Sequence, residues 1–362
     1  MGLGGFEPPT SPLSGVRSNQ LSYRPDYQKS DSEAAYYTQA GYYYKRIERG
    51  SSMSNQITLA QRKNLEDLAR GHSLALSSEL LNLLRALGLS FVYSLDGSEV
   101  NLVDEVDLVE AERVKANISP EIVYEHHWVI NSTNQHLMAC RIRDETRVCT
   151  AEMQVSGRGR RGRSWVSPFG SNIYLSLLSQ IERPVSELAG LSLAVGIRIA
   201  NLLRDLGCSE IGLKWPNDLV TSDGKLGGIL IESESVTSAV SRVCIGIGIN
   251  VLRAPRHQDI GRVATCLGDY GQWDRTALII DVIGALKSLV EKFGPDHMNE
   301  IQRDWSEFDI YRGKIVSVTQ NAKVIQGVNE GIDLNGQLVL NCNEGLRYFN
   351  AGEVTIQVPE SL

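Results

Sequence analysis

The 362-residue chain is long enough for two or three domains at roughly 150 residues each. Hydrophobic residues make up 42% and charged residues 22%, a globular mix that excludes wholesale disorder, and an apolar run such as CIGIGINVL is half the length of a membrane span. A net charge of −7 excludes a strongly basic nucleic-acid coat, though not a local basic site.

Residues 1–52 hold seven of the thirteen tyrosines and the pair Pro8-Pro9, with almost no aliphatic periodicity and no apolar signal core after Met1. They read as a disordered tail, or as a start codon placed too early. The stretch GFEPPTSPLSGVRSNQLSYRP is similar to translated non-coding sequence, which would make Met53 the start. From there the pattern is helical. Leu59, Leu65, Leu68 and Ala69 recur over 57–70 and Gly71 closes the run. Ser77 or Ser78 caps a second helix, ELLNLLRAL, ending at Gly88. FVYSL and SEVNLV flank Asp96-Gly97 and read as a hairpin with a type I′ turn. Two helices and a hairpin over 53–115 point to a degenerate winged helix-turn-helix, because one more helix would have to fit where GHSLAL stands.

Residues 120–250, within a domain expected over 116–308, alternate strands and helices. WVINSTNQHLMA reads as a strand entering a helix capped by Asn131, Ser132 or Thr133. Residues 184–206 form a long helix, with Pro184 at its start, Ser186 as a cap and Gly207 after it. Three strand-like runs follow, EIGLKW, LGGILIE and RVCIGIGINV, and then helix over 276–304, broken at Gly294-Pro295. Residues 311–358, within a domain expected over 309–362, are all β: KIVSVT, KVIQGVN, QLVLNC, LRYFN and EVTIQV, separated by tight turns, read as a small SH3-like barrel.

Six scattered cysteines (Cys140, Cys149, Cys208, Cys244, Cys266 and Cys342) include no CxxC pair. They read as free thiols in a reducing cytoplasm, outside any metal or disulfide framework.

Chemistry concentrates in two places. GRGRRGR (157–163) alternates four arginines with three glycines. Glycines let backbone N–H groups approach a phosphate and arginines supply forked donors, so an induced anion clamp is one reading. An arginine–glycine nucleic-acid segment and a solvated loop are the others. KWPNDL (214–219) sets Lys214, Asn217 and Asp218 within five residues, a set suited to phosphate and Mg²⁺ or simply to a capped turn. KLGGILIE follows, with Lys225 at its start and Gly227-Gly228 open to close approach; Lys225 alone could be a solvated hairpin lysine.

GRGRRGRSWVSPFGSNIYLSLL, KWPNDL, KLGGILIE and GIGIN, in this order, together resemble biotin protein ligase. INSTNQHL resembles the start of that family's catalytic domain and AEMQ the run before its glycine–arginine loop. The resemblance covers about 120–358; a weaker one over 53–110 points to the bifunctional members that also repress the biotin operon in a biotin-dependent way. It implies an α+β fold: a mixed β-sheet catalytic domain like class II aminoacyl-tRNA synthetases, a degenerate N-terminal winged-helix segment and a C-terminal SH3-like barrel. It also implies two reactions, formation of biotinyl-5′-AMP from biotin and MgATP, then transfer of biotin to a lysine of the biotin carboxyl carrier protein of acetyl-CoA carboxylase. A homodimer is a second implied partner; no membrane partner is expected.

By this resemblance Ser132, Thr133, Asn134, Gln154, Gly157, Arg158, Gly159, Arg160 and Lys225 hold biotin. Arg158, Arg160, Trp165, Lys214, Asn217 and Asn250 hold ATP, with Trp165 on the adenine. Lys225, Arg160 and Lys214 are catalytic, and Asn217 and Asp218 support Mg²⁺. Asn131 stands where the family usually has aspartate, which leaves a capping role but no charge. The roles of Arg161 and Arg163 stay open. Residues 53–110 carry four basic residues (Arg62, Lys63, Arg70, Arg85) against nine acidic ones (Glu66, Asp67, Glu79, Asp96, Glu99, Asp104, Glu105, Asp107, Glu110), so tight operator DNA binding is not expected.

Overall fold

The computed structural model describes residues 57–140, 145–294, 297–320 and 323–350, and the backbone of 355–357. The expectations for residues 1–52 lie outside the described residues.

The first unit is α1 (Leu59–Ala69), β1 (Leu74–Ala75), α2 (Ser78–Ala86), β2 (Phe91–Tyr93) and β3 (Glu99–Leu102), with the strands ordered β1-β3-β2. Helix α1 starts at a capping box: Thr58 Oγ1 accepts from Gln61 N at 3.2 Å, and Gln61 Oε1 accepts from Thr58 N at 2.9 Å. Ser77 Oγ caps α2 by accepting from Leu80 N at 3.1 Å. Where GHSLAL stands the chain forms β1, so a single helix separates β1 from β2. The expected type I′ turn is not formed. That turn needs positive φ at both central residues, and Gly97 (72°) has it while Asp96 does not. Instead the Asp96 carboxylate accepts from Ser94 Oγ and from Ser98 N and Oγ, pinning a longer loop. Leu65, Leu68, Leu80, Leu83, Leu84, Phe91 and Val100 are buried together, and the cluster continues onto Val106, Met153 and Phe169 of the central unit. Each such buried side chain contributes about 1.5–3 kcal/mol, so this small unit depends on the surface it packs against.

The central sheet is built from β4 (Val123–Ile130), β5 (Arg147–Gln154), β6 (Ile173–Ile181), β7 (Gly212–Lys214), β8 (Asp218–Thr221), β9 (Gly224–Ser235) and β10 (Ser241–Ile249), ordered β4-β5-β6-β10-β9-β8-β7. Only β4–β5 is parallel; the other pairs are antiparallel. The helices of this unit are α3 (Ala111–Asn117), α4 (Thr133–Ala139), α5 (Leu191–Asp205), α6 (His257–Ile260), α7 (Arg275–Lys292) and α8 (Met298–Phe308). Alternation sorts the strands. Ile245, Ile247 and Ile249 of β10 and Leu175 and Leu177 of β6 join the apolar core of α5 and α7, while Cys244 and Leu178 pack beneath α4.

The helix expected over 184–206 starts later. Val185–Glu187 is one 3₁₀ turn and α5 begins at Leu191, after Gly190 at φ 83°. Helix α8 passes so close that a Cβ on Gly190 would lie 2.5 Å from Met298 Sδ. A left-handed residue without a side chain therefore separates two helical pieces.

One polar group is sunk into this core. Glu152 on β5 and Arg275 at the start of α7, 1% and 0% exposed, form an ion pair. Glu152 also accepts from Val109 N at 2.7 Å, and Arg275 Nε donates to Asn172 O at 3.0 Å.

The last unit is an antiparallel sheet of β11 (Ile315–Gln320), β12 (Lys323–Ile332), β13 (Leu338–Cys342), β14 (Gly345–Phe349) and β15 (Thr355–Gln357), ordered β14-β13-β12-β11-β15. These match the five expected strands. Val316, Val318, Leu338, Leu340 and Phe349 merge with the central core. Trp215 Nε1 donates to Gly336 O at 3.1 Å, tying KWPNDL to this sheet.

Candidate active site

Alternation on three neighbouring strands builds a floor. Gly246 and Gly248 of β10 pair with Ser176 and Tyr174 of β6 and with Leu230 and Gly228 of β9. Residues opposite in a ladder share a face, so the two glycines of GIGIN (246–250) lie opposite the helical core. Their missing side chains are occupied by others. A Cβ on Gly248 would lie 2.5 Å from Trp165 Cε2, and one on Gly246 would overlap the Asn134 amide. The result is a cleft of about 630 Å³, open to solvent.

One end of the cleft is lined by hydroxyls and amides, with one ion pair beside them. Ser132 ends the β4–α4 connection and caps α4, leaving Thr133 and Asn134 on its first turn. Gln154 Oε1 accepts from Thr133 N at 3.0 Å and from its hydroxyl at 3.2 Å, while Gln154 Nε2 donates to Ser167 Oγ. Ser176 Oγ lies 2.7 Å from Thr133 Oγ1 and 2.5 Å from Asn134 Oδ1. Asn134 Nδ2 donates to Glu232 Oε2 at 3.1 Å, and Arg158 Nη2 meets the same oxygen at 2.5 Å. All of these polar side chains except Arg158 and Glu232 are buried.

The other end is cationic. Lys225 pairs with Asp218 Oδ1, and Arg262 Nη1 lies 3.5 Å from Asp218 Oδ2. Burial is the first cause that draws the Lys225 ammonium down to about 8, with Arg262 adding to it and Asp218 opposing. Burial likewise lowers Arg160 and Lys214. Arg160 Nη1 donates to Asn217 Oδ1 at 3.0 Å, and Asn217 Nδ2 donates to Ile229 O at 2.7 Å. Partly desolvated cations that outnumber their carboxylate favour an anion.

The glycine–arginine loop folds over this end. Gly159 N donates to Arg163 O at 2.6 Å, and Arg160–Gly162 make one 3₁₀ turn in which Arg161 has φ 58°. Trp165 N donates to Gly157 O, and a Cβ on Gly157 would lie 2.5 Å from Trp165 O, so only glycine fits there.

Ser132, Thr133, Asn134, Gln154, Arg158, Gly159, Arg160, Trp165, Asn217, Asp218 and Lys225 thus converge on one cleft. Three of the expected residues stand behind it. Gly157 is buried under the loop. Lys214 pairs in register with Asp218 and its ammonium lies 5.5 Å from the Tyr311 ring centre. Asn250 is buried, donating to Thr265 O at 3.0 Å and holding that segment beside Lys225. As for Mg²⁺, the Asn217 and Asp218 side-chain oxygens already face Arg160, Lys225 and Arg262. That donor set does not fit a protein-held metal ion. Ser164, Ser176, Glu232, Arg262 and the glycines at 246 and 248 were not singled out from sequence. The Gly–Ile alternation of GIGIN is the signal for the glycines; Arg262, in a loop, carries none.

Residues 128–250 match the family model described as the biotin/lipoate A/B protein ligase family, and residues 311–356 match the biotin protein ligase C-terminal domain. The chain is 34% identical over 295 residues to the bifunctional ligase/repressor BirA of Salmonella typhimurium, covering 80% of this chain and 91% of that protein. The chain belongs to the biotin protein ligase family. Within this family it is also 31% identical to the biotin–[acetyl-CoA-carboxylase] ligase of Mycobacterium tuberculosis, over 57% of this chain and 77% of that one. The solved biotin protein ligase of Aquifex aeolicus in complex with biotin and ATP superposes with a TM-score of 0.54 at 25% identity, covering 65% of this chain and 99% of that one. The large mixed sheet and the C-terminal antiparallel sheet agree with this family's fold. Among the described residues no helix is long and apolar enough to cross a membrane.

Proposed function

We propose that the chain condenses biotin with ATP to biotinyl-5′-AMP and then transfers biotin to a lysine of a biotin carboxyl carrier protein. The observation that carries this reading is the polarity of the cleft: a donor–acceptor set of hydroxyls and amides at one end and buried cations around Lys225 at the other. The hydroxyls and amides of Ser132, Thr133, Asn134 and Gln154 suit a ureido ring, which offers both donors and an acceptor. In the first step a carboxylate oxygen of biotin attacks the α-phosphorus, and the bond to the β-phosphate breaks, releasing pyrophosphate. Lys225 lies where two anions must meet, and its ammonium offsets their repulsion, with Arg160 and Arg158 aligning the phosphate side. Asp218 holds Lys225, and Lys214 supports Asp218 from the next strand. Trp165 offers an aromatic face to the adenine. In the second step the acceptor amine attacks the acyl carbon, loses a proton, and AMP departs.

The test is pyrophosphate release with ATP and either biotin or lipoate, with and without carrier protein. Release with biotin followed by a single modified lysine is expected; release with lipoate alone would overturn the reading. The relatives named as acetyl-CoA-carboxylase ligases support the carrier of that enzyme as acceptor.

Arg160→Gly removes the hydrogen bond from the loop to Asn217. Biotinyl-AMP is then expected to escape faster and to label bystander lysines, read by mass spectrometry of added albumin. Intermediate release equal to wild type would contradict a closing role for the loop.

The relatives named as ligase/repressors raise operator binding as a second activity. Helix α2 is the candidate reading helix. Its buried stripe is Leu80, Leu83 and Leu84, and its exposed positions are Ser78, Glu79 and Asn82. Arg85 lies over the Phe91 ring, 5.9 Å from its centre. With so few cations and a carboxylate on that face, weak binding is expected. An electrophoretic mobility shift on the chain's own biotin-gene promoter, with biotin and ATP, should give no sharp band at nanomolar protein and physiological salt; a biotin-dependent band there would restore the repressor role.

A further inference from the structure

A second cluster sits at the β4 edge of the face that carries the cleft. Glu125 and His127 are two apart on β4 and so point to the same side. Cys149 pairs with Glu125 across the parallel ladder and shares that side. His136 comes down onto them from α4. The ligand atoms of His127, His136 and Cys149 all lie within 4.8 Å of one another, and the two imidazoles meet edge to face with centres 4.9 Å apart. Glu125 Oε2 lies 2.8 Å from His136 Nε2 and 3.6 Å from His127 Nε2.

We propose that His127, His136, Cys149 and Glu125 form a site for one borderline divalent cation of the zinc class. The donor set is two imidazole nitrogens, one thiolate and one carboxylate oxygen, which suits a tetrahedral ion and is a poor match for Mg²⁺ or Ca²⁺. The His127 Nε2 atom is buried and makes no hydrogen bond among the described residues, an arrangement an ordinary packed histidine avoids. Cys149 is fully buried, and among the described residues its Sγ has one polar partner, Thr150 O at 3.9 Å. The two histidines and Glu125 are each about one-third exposed, so an ion can enter from solvent at the sheet edge with Cys149 behind it. Zinc bonds of about 2.0–2.3 Å place neighbouring ligand atoms closer than 4.8 Å, so the ion draws the side chains inward by about 1 Å. That is within reach of side-chain rotation. The site lies under α4, whose first turn carries Ser132–Asn134, so a bound ion pins the helix that lines the hydroxyl and amide end of the cleft.

The test uses the full-length chain, kept reduced with a non-chelating phosphine and stripped by dialysis against a chelator. Titration with Co²⁺ should saturate at one equivalent with a thiolate-to-cobalt charge-transfer band, and Zn²⁺ should displace it and raise the melting temperature. His127→Gln and His136→Gln, at partly exposed positions, should each weaken Zn²⁺ by at least about tenfold. Cys149→Ser should abolish the charge-transfer band and Cys342→Ser should leave it. No band, a band that survives Cys149→Ser, or affinities within about threefold of wild type in both histidine variants would overturn the proposal. If Cys149→Ser fails to fold by circular dichroism, the histidine variants decide.

Discussion

Lys225→Ala should lower biotin-dependent pyrophosphate release by about two to three orders of magnitude, about 2.7–4 kcal/mol of transition-state stabilisation. The side chain is 12% exposed, pairs with Asp218 and lies 5.5 Å from the centre of the Trp165 ring. No other lysine lines the cleft among the described residues. The loss should fall on the adenylation step, and transfer from chemically supplied biotinyl-AMP should persist. The pH profile carries a second signature. Lys225 loses its proton near 8, so kcat/KM for ATP should decline as pH rises through that value. The variant's residual rate should lack that decline. Stability should not suffer. A lysine whose folded value lies below its ordinary 10.5 opposes folding while charged, and that opposition is relieved as pH rises from about 8 toward 10.5. The variant should therefore melt within a few degrees of wild type at pH 7. Activity within about threefold of wild type would leave Lys225 with a structural pairing to Asp218 and no catalytic role.

Glu152→Ala should destabilise the fold by about 3–5 kcal/mol, the largest loss expected for a residue outside the cleft. The carboxylate holds Arg275 and the Val109 N–H, and His126 Nε2 lies 3.3 Å from it. Removing it leaves a guanidinium with no exposed surface and a buried amide without an acceptor. Despite burial, which pushes the carboxyl up, Arg275 and His126 hold it down to about 2. A carboxyl depressed from 4.5 contributes stability at pH above about 4.5, lost as pH falls toward 2. Urea unfolding at pH 7 and at pH 3 should show the wild type losing more stability on acidification than the variant does. A difference below about 1 kcal/mol at pH 7 would show that the pair is replaceable. Arg275→Ala should cost a similar amount, and the double variant much less than the two together.

Much of the site was legible before any coordinates. GRGRRGR is too charged to bury and too rich in glycine to hold one shape alone, and the structure has it closing on itself over a cationic cleft. INSTN announced a strand running into a capped helix, and of the three candidate caps, Asn131, Ser132 and Thr133, it is Ser132 that caps α4. The five short β runs after residue 311 became β11 to β15. The misreadings have local causes. The Asp96-Gly97 loop is governed by the hydrogen bonds Asp96 makes with Ser94 and Ser98, which a dipeptide rule does not weigh. The start of α5 is governed by the approach of α8, more than 100 residues away in the chain, to Gly190.

The sequence by itself determined which residues face inward and which loops can approach an anion. Periodicity of two or 3.6 sorts neighbouring side chains onto faces, and a glycine or arginine carries its chemistry wherever it is placed. Only the tertiary structure decided which distant residues meet. Glu152 finds Arg275, Asn134 finds Gly246, Arg262 finds Asp218, and His136 meets His127 and Cys149. Each of these pairings depends on strand order, ladder register and the docking of one helix. Those are set by burial of the whole core, whose attraction is non-directional and leaves no local spacing in the chain to read.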